Sequence, residues 1–265
     1  MKVFISADIE GVNSICHWDE TEFGSQRYQE YRKQMMEEVK AACLGAHLAG
    51  AKEILVKDAH DSALNLSPSE LPEYASLHRG WEGNLSSMMG GLDSGFDAVV
   101  FIGYHSPSRS DGNPLSHTMT TQLFHVKING EIVSEFEINA MYASLLKVPV
   151  AFLSGDANLT NIVKHVNKNI ETVATKEGRH GAVVSRHPSI TNQEITDGVK
   201  KALTKDLTNN IVALPEKFEV EIQYKNHQRA YRASFFPGCR LLGTDRVVFS
   251  SNNYHDVLVM FHFNL

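Results

Sequence analysis

Apolar residues along this chain follow two alternating rhythms. Val3-Phe4-Ile5, Ile54-Leu55-Val56, Val99-Val100-Phe101-Ile102 and Val150-Ala151-Phe152-Leu153 are short and continuous, each bounded by polar or turn-forming residues. Runs of that length read as strands covered on both faces, as in a parallel sheet. Between the first two, Tyr28, Tyr31, Met35, Val39 and Ala42 recur at helical spacing through about Ala49, and Gly50 supplies a stop. A stretch with Pro68 and Pro72 leads to a helix expected over 84–89. Residues 106–114 are rich in Ser, Pro, Gly and Asn and read as an ordered loop or lid. Asn129-Gly130 then joins Leu123–Ile128 to Ile132–Val133 as a hairpin, because both turn residues tolerate positive φ. Glu135 begins a helix expected to run to Leu146.

Further on, a helix is expected over 158–166, a strand over 172–175 and a helix over 191–203 capped by Ser189 or Thr191. Phe218, Val220, Ile222 and Tyr224 alternate with polar residues as in a half-buried strand, and 247–250 is another strand. The order predicts an α/β fold, a mostly parallel sheet flanked by helices, with a smaller α+β carboxyl-terminal part. Residues 1–160 are expected to form the metal-binding catalytic portion and 161–265 an α+β continuation, with a soft boundary and no linker or repeat.

The chemistry stands at the ends of the strands. The first runs into Ser6-Ala7-Asp8-Ile9-Glu10-Gly11, the second into Asp58-Ala59-His60-Asp61, and the third into Tyr104-His105. Taken alone, an Asp-x-Glu pair usually does no more than end a strand and cap a helix. Three arrivals at one edge are different, because open parallel sheets bind ligands at the carboxyl ends of their strands. Asp8 and Glu10, two residues apart, point to one side if the extended geometry continues. A mixed carboxylate and imidazole set suits Zn²⁺, Mn²⁺, Fe²⁺ or Co²⁺ better than Mg²⁺ or Ca²⁺. With Glu135 the ligands suffice for two cations, which can share a carboxylate, lower the pKa of a water and polarise a carbonyl, so the implied reaction is hydrolysis. Glu135 reaches the site through its hairpin only if that strand packs beside the third. Asp58 reads either as an orienter of a ligand histidine or as a strand-ending turn residue.

Composition narrows the partners. At 265 residues, 42% apolar and 21% charged, the chain can bury a sizeable core. A formal charge of −6 with no basic stripe argues against nucleic acid. The opening residues show no basic segment before an apolar stretch, and no apolar run nears the roughly 20 residues that cross a bilayer, so no membrane partner and a cytoplasmic location are expected. Cys16, Cys43 and Cys239 are too few and too scattered for a disulfide framework and are expected as free thiols. Of the thirteen histidines, His47, His125 and eight others have no metal-ligand spacing. Met89-Gly90-Gly91 lacks the Lys of a phosphate loop, and Ser116-His117 lacks a nucleophile elbow.

The chain resembles the bacterial zinc D-aminopeptidases. The resemblance lies in Ser6-Ala7-Asp8-Ile9-Glu10-Gly11, a match to their Ser-x-Asp-x-Glu-Gly signature, and continues through Asp58-Ala59-His60, Gly103-Tyr104-His105, Ser116-His117, Ile128-Asn129 and Glu135 with Asn139-Ala140. It implies two zinc ions per chain, with Asp8 bridging and Glu10, His60, His105 and Glu135 completing the shells. It also implies His117 as catalytic residue, whether nucleophile, acid and base, or oxyanion stabiliser. The implied activity is removal of the amino-terminal residue of short peptides, with D-amino-acid termini such as D-Ala-D-Ala, by a homodecamer. Glu10, Asp61 and Asp111 are the candidates to hold the substrate's ammonium group. Competing readings are another binuclear metallohydrolase, an amidase or phosphoesterase, and a non-catalytic metal-binding scaffold protein.

Overall fold

A computed structural model describes residues 1–265. Strand β1 (Lys2–Ala7) is buried on both faces: Val3, Ile5 and Ala7 join one apolar cluster, Phe4 the other. A 20-residue loop leads to helix α1 (Tyr28–Leu48), and β2 (Glu53–Asp58), β3 (Ala75–His78) and β4 (Ala98–Tyr104) follow. The hairpin β5 (Leu123–Ile128) and β6 (Glu131–Ile132) precedes α2 (Glu135–Leu145), β7 (Val150–Asp156) and α3 (Ala157–Val166). Then come β8 (Glu171–Arg179), β9 (Ala182–Ser185), α4 (Pro188–Leu203), β10 (Phe218–Tyr224), α5 (His227–Ala233), β11 (Arg240–Leu242), β12 (Arg246–Ser251) and α6 (Tyr254–Asn264).

Seven strands form the main sheet in the order β3-β2-β1-β4-β7-β8-β9, all parallel except β9. Helices α1 and α4 pack together against one face, with Met35, Val39, Ile195 and Val199 in the shared cluster. Helices α2 and α3 cover the other face. The remaining strands form an antiparallel sheet in the order β11-β12-β10-β5-β6, packed with α5 and α6. Both sheets draw strands from either side of residue 160. The α/β architecture expected from the alternating pattern is therefore what the chain adopts.

Helix α2 is buried on two sides. Phe136, Ala140 and Ala143, spaced at i, i+4 and i+7, face the main sheet, while Ile138 and Met141 face the smaller one. It starts from a capping box in which Ser134 and Glu137 satisfy each other's backbone amides. This is how Glu135 reaches the sheet edge. The hairpin lies in the other sheet, where β5 pairs with β10 and not with β4, so delivery by the hairpin strand is corrected to delivery by the helix start.

The Asn129-Gly130 turn takes positive φ at both residues, as expected. The helix expected over 84–89 is only a 3-10 turn at Ser87–Met89, because the Asn84 side chain accepts from the Ser86 amide and competes with helical bonding. Helix α4 starts earlier than expected, with Pro188 in its first turn and His187 as the cap.

Candidate metal centre

Strands run outward from β1 in both directions, to β2 and β3 on one side and to β4, β7 and β8 on the other. The crevice beyond β1 and β4 is thus a topological switch point, where doubly wound sheets bind ligands. Asp8 and Glu10 follow β1, His60 follows β2, and His105 follows β4. Glu135 enters from the first turn of α2, and His117 from the loop between β4 and β5. All six expected residues meet here.

Close backbone contact aims them. The β4–β7 ladder shifts between Phe101 and Tyr104, and Gly103 takes φ +69°, which turns His105 into the crevice. A Cβ on Gly103 would lie 2.3 Å from the Asp8 carbonyl oxygen, and one on Gly11 would lie 1.7 Å from that of Tyr104. The Gly11 amide donates to the Gly103 carbonyl at 2.7 Å. Bare backbone thus passes against bare backbone, and what Gly11 supplies is space. On the β2 side, Asp58 accepts from the amides of Asn65 and Leu66, while Asn65 Nδ2 donates to the carbonyl of His60 at 2.7 Å. Asp58 is a turn residue that shapes the loop carrying His60 and touches no imidazole.

The three histidines share one arrangement. His60 Nε2 faces the Thr21 carbonyl at 3.0 Å, His105 Nδ1 that of Ser106 at 2.9 Å, and His117 Nδ1 that of Leu115 at 2.9 Å. A carbonyl only accepts, so each of those nitrogens carries the proton and the other nitrogen points inward. His60 Nδ1 lies 3.3 Å from Asp8 Oδ1 and 3.1 Å from Glu10 Oε2. His105 Nε2 lies 3.6 Å from Asp8 Oδ2 and 3.5 Å from Glu135 Oε1, and His117 Nε2 is 3.5 Å from the same Glu135 oxygen. His105 and His117 stack at 4.3 Å between ring centroids, with Trp18 edge-on to His117. Glu135 Oε1 also accepts from the Met119 amide at 2.7 Å, where Met119 holds φ +64°.

Burial makes this cluster electrostatically tense. Burial and the neighbouring Glu10 push the Asp8 carboxyl up to about 8. Burial acts the same way on Glu10, but the charge of His60 outweighs it and holds Glu10 well below the usual carboxylate range. Glu135 is likewise lowered against burial, by His105. Desolvation acts to lower His60 and His105, yet the carboxylates outweigh it, raising His60 well above its usual value and His105 to about 10. His117 is lowered, first by burial and then by the charge on His105. In the metal-free cluster, protons on His60 and His105 stand where cations would. Asp8 Oδ2, Glu10 Oε2 and His105 Nε2 are buried without any hydrogen-bond partner. Such groups in a folded protein call for an ion or a water.

Several supporting residues carried no clear signal in the sequence. Lys176, buried on β8, donates to the carbonyls of Glu10 and Ile15, both at 2.5 Å. Burial brings its pKa down to about 8 against the pull of Asp156 and Glu38. Asn113 Nδ2 donates to the same Glu10 carbonyl at 2.9 Å. Asp156 accepts from the amide and hydroxyl of Ser106, whose carbonyl holds His105. Asp156 ends a strand, as the ligands do, and that position was its one signal. Lys176 sits between Thr175 and Glu177 as any exposed strand lysine would. Of the three candidates for the substrate's ammonium, Glu10 and Asp61 line the cleft. Asp111 lines a separate one with Asn158 and Glu177.

Comparison with known proteins agrees with this picture. A family model described as D-aminopeptidase matches residues 1–263. The D-aminopeptidase of Bacillus subtilis (strain 168) is 29% identical over 266 residues, 98% of this chain and 96% of that protein. Among solved structures, Zn-dependent D-aminopeptidase DppA from Bacillus subtilis, described as a self-compartmentalizing protease, superposes with a TM-score of 0.90 at 28% identity. The match covers 98% of this chain and 97% of that one.

Proposed function

We propose that this chain, which belongs to the D-aminopeptidase family, removes the amino-terminal residue of short peptides with D-amino-acid termini such as D-Ala-D-Ala, using two zinc ions. The observation that carries the reading is Asp8, whose two oxygens face different imidazoles, Oδ1 toward His60 and Oδ2 toward His105. Ligands about 2.0–2.1 Å from one zinc at tetrahedral angles lie about 3.3–3.4 Å from each other. The contacts of His60 with Asp8 and Glu10 and of His105 with Asp8 and Glu135, 3.1–3.6 Å, are near that spacing, and ligand atoms of Asp8, Glu10 and His105, and of His105, His117 and Glu135, lie within 4.8 Å of one another. Asp8, Glu10 and His60 would hold one ion, and Asp8, His105 and Glu135 the other.

Bound zinc supplies Lewis-acid polarisation of the peptide carbonyl and lowers the pKa of water. The chain does the rest. His117, whose pKa is lowered first by burial, has its bare Nε2 on the cleft, placed to carry a proton from the attacking water to the departing amine. Glu135, 3.5 Å away, steadies the imidazolium formed in between. Of the carboxylates lining the cleft, Asp61 is the one outside the proposed ligand set, and no Lys or Arg lines it, so Asp61 is placed to meet the ammonium group of a peptide.

We also infer a homo-oligomer, a decamer by family resemblance, located in the cytoplasm. Phe235 and Phe263, 70% and 69% exposed, are apolar surface that such an assembly would cover. No helix is long and apolar enough to cross a membrane. The decisive experiment measures metal per chain beside hydrolysis of D-Ala-D-Ala, L-Ala-L-Ala and a phosphodiester. Two zinc ions with preferential D-Ala-D-Ala cleavage are expected. Turnover of the phosphodiester alone, or less than one metal with no activation by added zinc, would overturn the reading.

A further inference from the structure

Beside the metal cleft lies a second cavity of about 240 Å³, and the two share Trp81, Ser87 and Met119 as walls. Apolar residues make up about half of the lining, Leu85 from the 81–87 loop, Ile138 and Tyr142 one turn apart on α2, and Leu258 and Phe261 on α6, while Glu82, Asn84, Asn139 and His262 add polar groups. Ile138, Leu258 and Phe261 are buried in the core of the smaller sheet, so this wall is fixed by packing. The partition is fixed as well. Trp81 Nε1 donates to the Asp61 carbonyl at 2.8 Å, and the Lys57 ammonium lies 4.4 Å from the indole centroid. Ser87 and Met119 both hold positive φ, at +46° and +64°, a cost that side-chain residues bear where a site is shaped.

A third crevice adjoins the cleft and differs. There the crevice past Glu10, His60 and His117 opens between Glu22, Asp61 and Thr120, again without a Lys or Arg. A peptide lying across the metals therefore has both an acidic crevice and a largely apolar cavity beside it. Its ammonium end fits the acidic crevice. The residue beyond the scissile bond then falls at the apolar cavity.

Building on the peptidase reading, we propose that this cavity is a specificity pocket for the second residue of the substrate, and that it takes a large apolar or aromatic side chain. D-Ala-D-Phe or D-Ala-D-Leu then fills space that D-Ala-D-Ala leaves open. Burying the extra methylenes or ring discriminates by about tenfold or more in kcat/KM.

The test compares kcat/KM for D-Ala-D-Ala, D-Ala-D-Phe and D-Phe-D-Ala in the zinc-loaded wild type and in Leu258→Trp and Leu85→Trp, which fill the pocket from α6 and from the 81–87 loop. The expected result is a preference of about tenfold for D-Ala-D-Phe over the other two, which collapses toward parity in either variant. Equal rates in the wild type, a preference for D-Phe-D-Ala, or a preference that survives both substitutions overturns the proposal. So does a change of molar mass by light scattering in both variants with the preference intact, which marks the cavity as a contact between copies. Calorimetry with non-hydrolysable reduced-amide analogues of the same peptides separates this from failure of the peptidase reading. Tighter binding of the D-Ala-D-Phe analogue, lost in the filled variants, supports the pocket even if no peptide is cleaved. Equal binding of all three analogues sinks it.

Discussion

The metal cleft and the apolar cavity share three wall residues and are built on opposite principles. The cleft buries Asp8, Glu10, His60, His105 and Glu135, groups that each cost free energy to bury, a cost offset by one another, by backbone partners such as the Met119 amide on Glu135, or by an ion. The cavity buries side chains such as Ile138, Leu258 and Phe261, which favour burial wherever they are placed. The first therefore needs its backbone fixed to within tenths of an ångström, as at Gly11 and Gly103. The second needs only shape. Chemistry in this fold is set by backbone geometry at the sheet edge, and selectivity by side chains contributed by α2, α6 and a loop.

The largest effect that would break this contrast is at Asp8. Asp8→Asn is expected to lose metal and to lower kcat by about a thousandfold, since one residue serves both ions. The metal-free protein should behave the other way. The Asp8 carboxyl is raised from 3.8 to about 8 in the fold, so as pH climbs through that window its ionisation increasingly opposes folding. Metal-free Asp8→Asn should then unfold at the same or a higher temperature than wild type at pH 8, and lose that advantage at pH 4. A variant that is less stable at pH 8 would show that Asp8 supports the empty fold and is not held there for a ligand.

Next in size is the backbone. Gly103→Ala places a Cβ 2.3 Å from the Asp8 carbonyl at a residue with φ +69°. Strain and overpacking there should cost about 3 kcal/mol in urea unfolding. Leu85→Ala, on the partly exposed wall of the cavity, should cost about 1 kcal/mol. Comparable losses at the two positions would erase the distinction between a cleft set by backbone and a cavity set by side chains.

The same distinction governs what could be read in the sequence. Asp8, Glu10, His60 and His105 were legible because each follows an apolar run and the sheet brings strand ends together. His117 and Glu135 were not legible in this way. His117 lies in the loop between β4 and β5 and Glu135 in the first turn of α2, and family resemblance, not periodicity, picked out His117. The condition set for Glu135, that the hairpin strand pack beside the third, is not met, because β5 pairs with β10, more than 90 residues away, and such a pairing leaves no local trace. Helix α6 was not anticipated, since its exposed face holds Phe263 beside the polar His255, Asp256 and His262, which blurs the helical period. Strand β3 is short and follows the loop with Pro68 and Pro72. Lys176 was invisible for a physical reason: its burial follows from the carbonyls of Glu10 and Ile15, which the fold alone brings to it.

The smallest effect concerns protons. Zinc requires neutral imidazoles and ionised carboxylates, whereas the metal-free cluster holds protons on His60, on His105 with a pKa near 10, and on Asp8 with one near 8. All three are raised, so at pH 7 the free protein binds more protons than the loaded one, and zinc affinity must rise with pH. Each proton released is worth about 1.4 kcal/mol per pH unit. Calorimetric titration with zinc in buffers of differing ionisation heat should report more than one proton released per chain at pH 7. A value below one would mean that the cluster is already deprotonated and that the charge pairing among His60, His105 and the carboxylates is not as drawn. The apolar cavity supplies the control, because preference for the D-Ala-D-Phe analogue over the D-Ala-D-Ala analogue measures burial of carbon and should stay level across the same pH range. A preference that drifts with pH would place a titrating group in contact with the second residue, and Glu82, paired with His78 at 2.9 Å, and His262, both of which line that cavity, are where it would be sought.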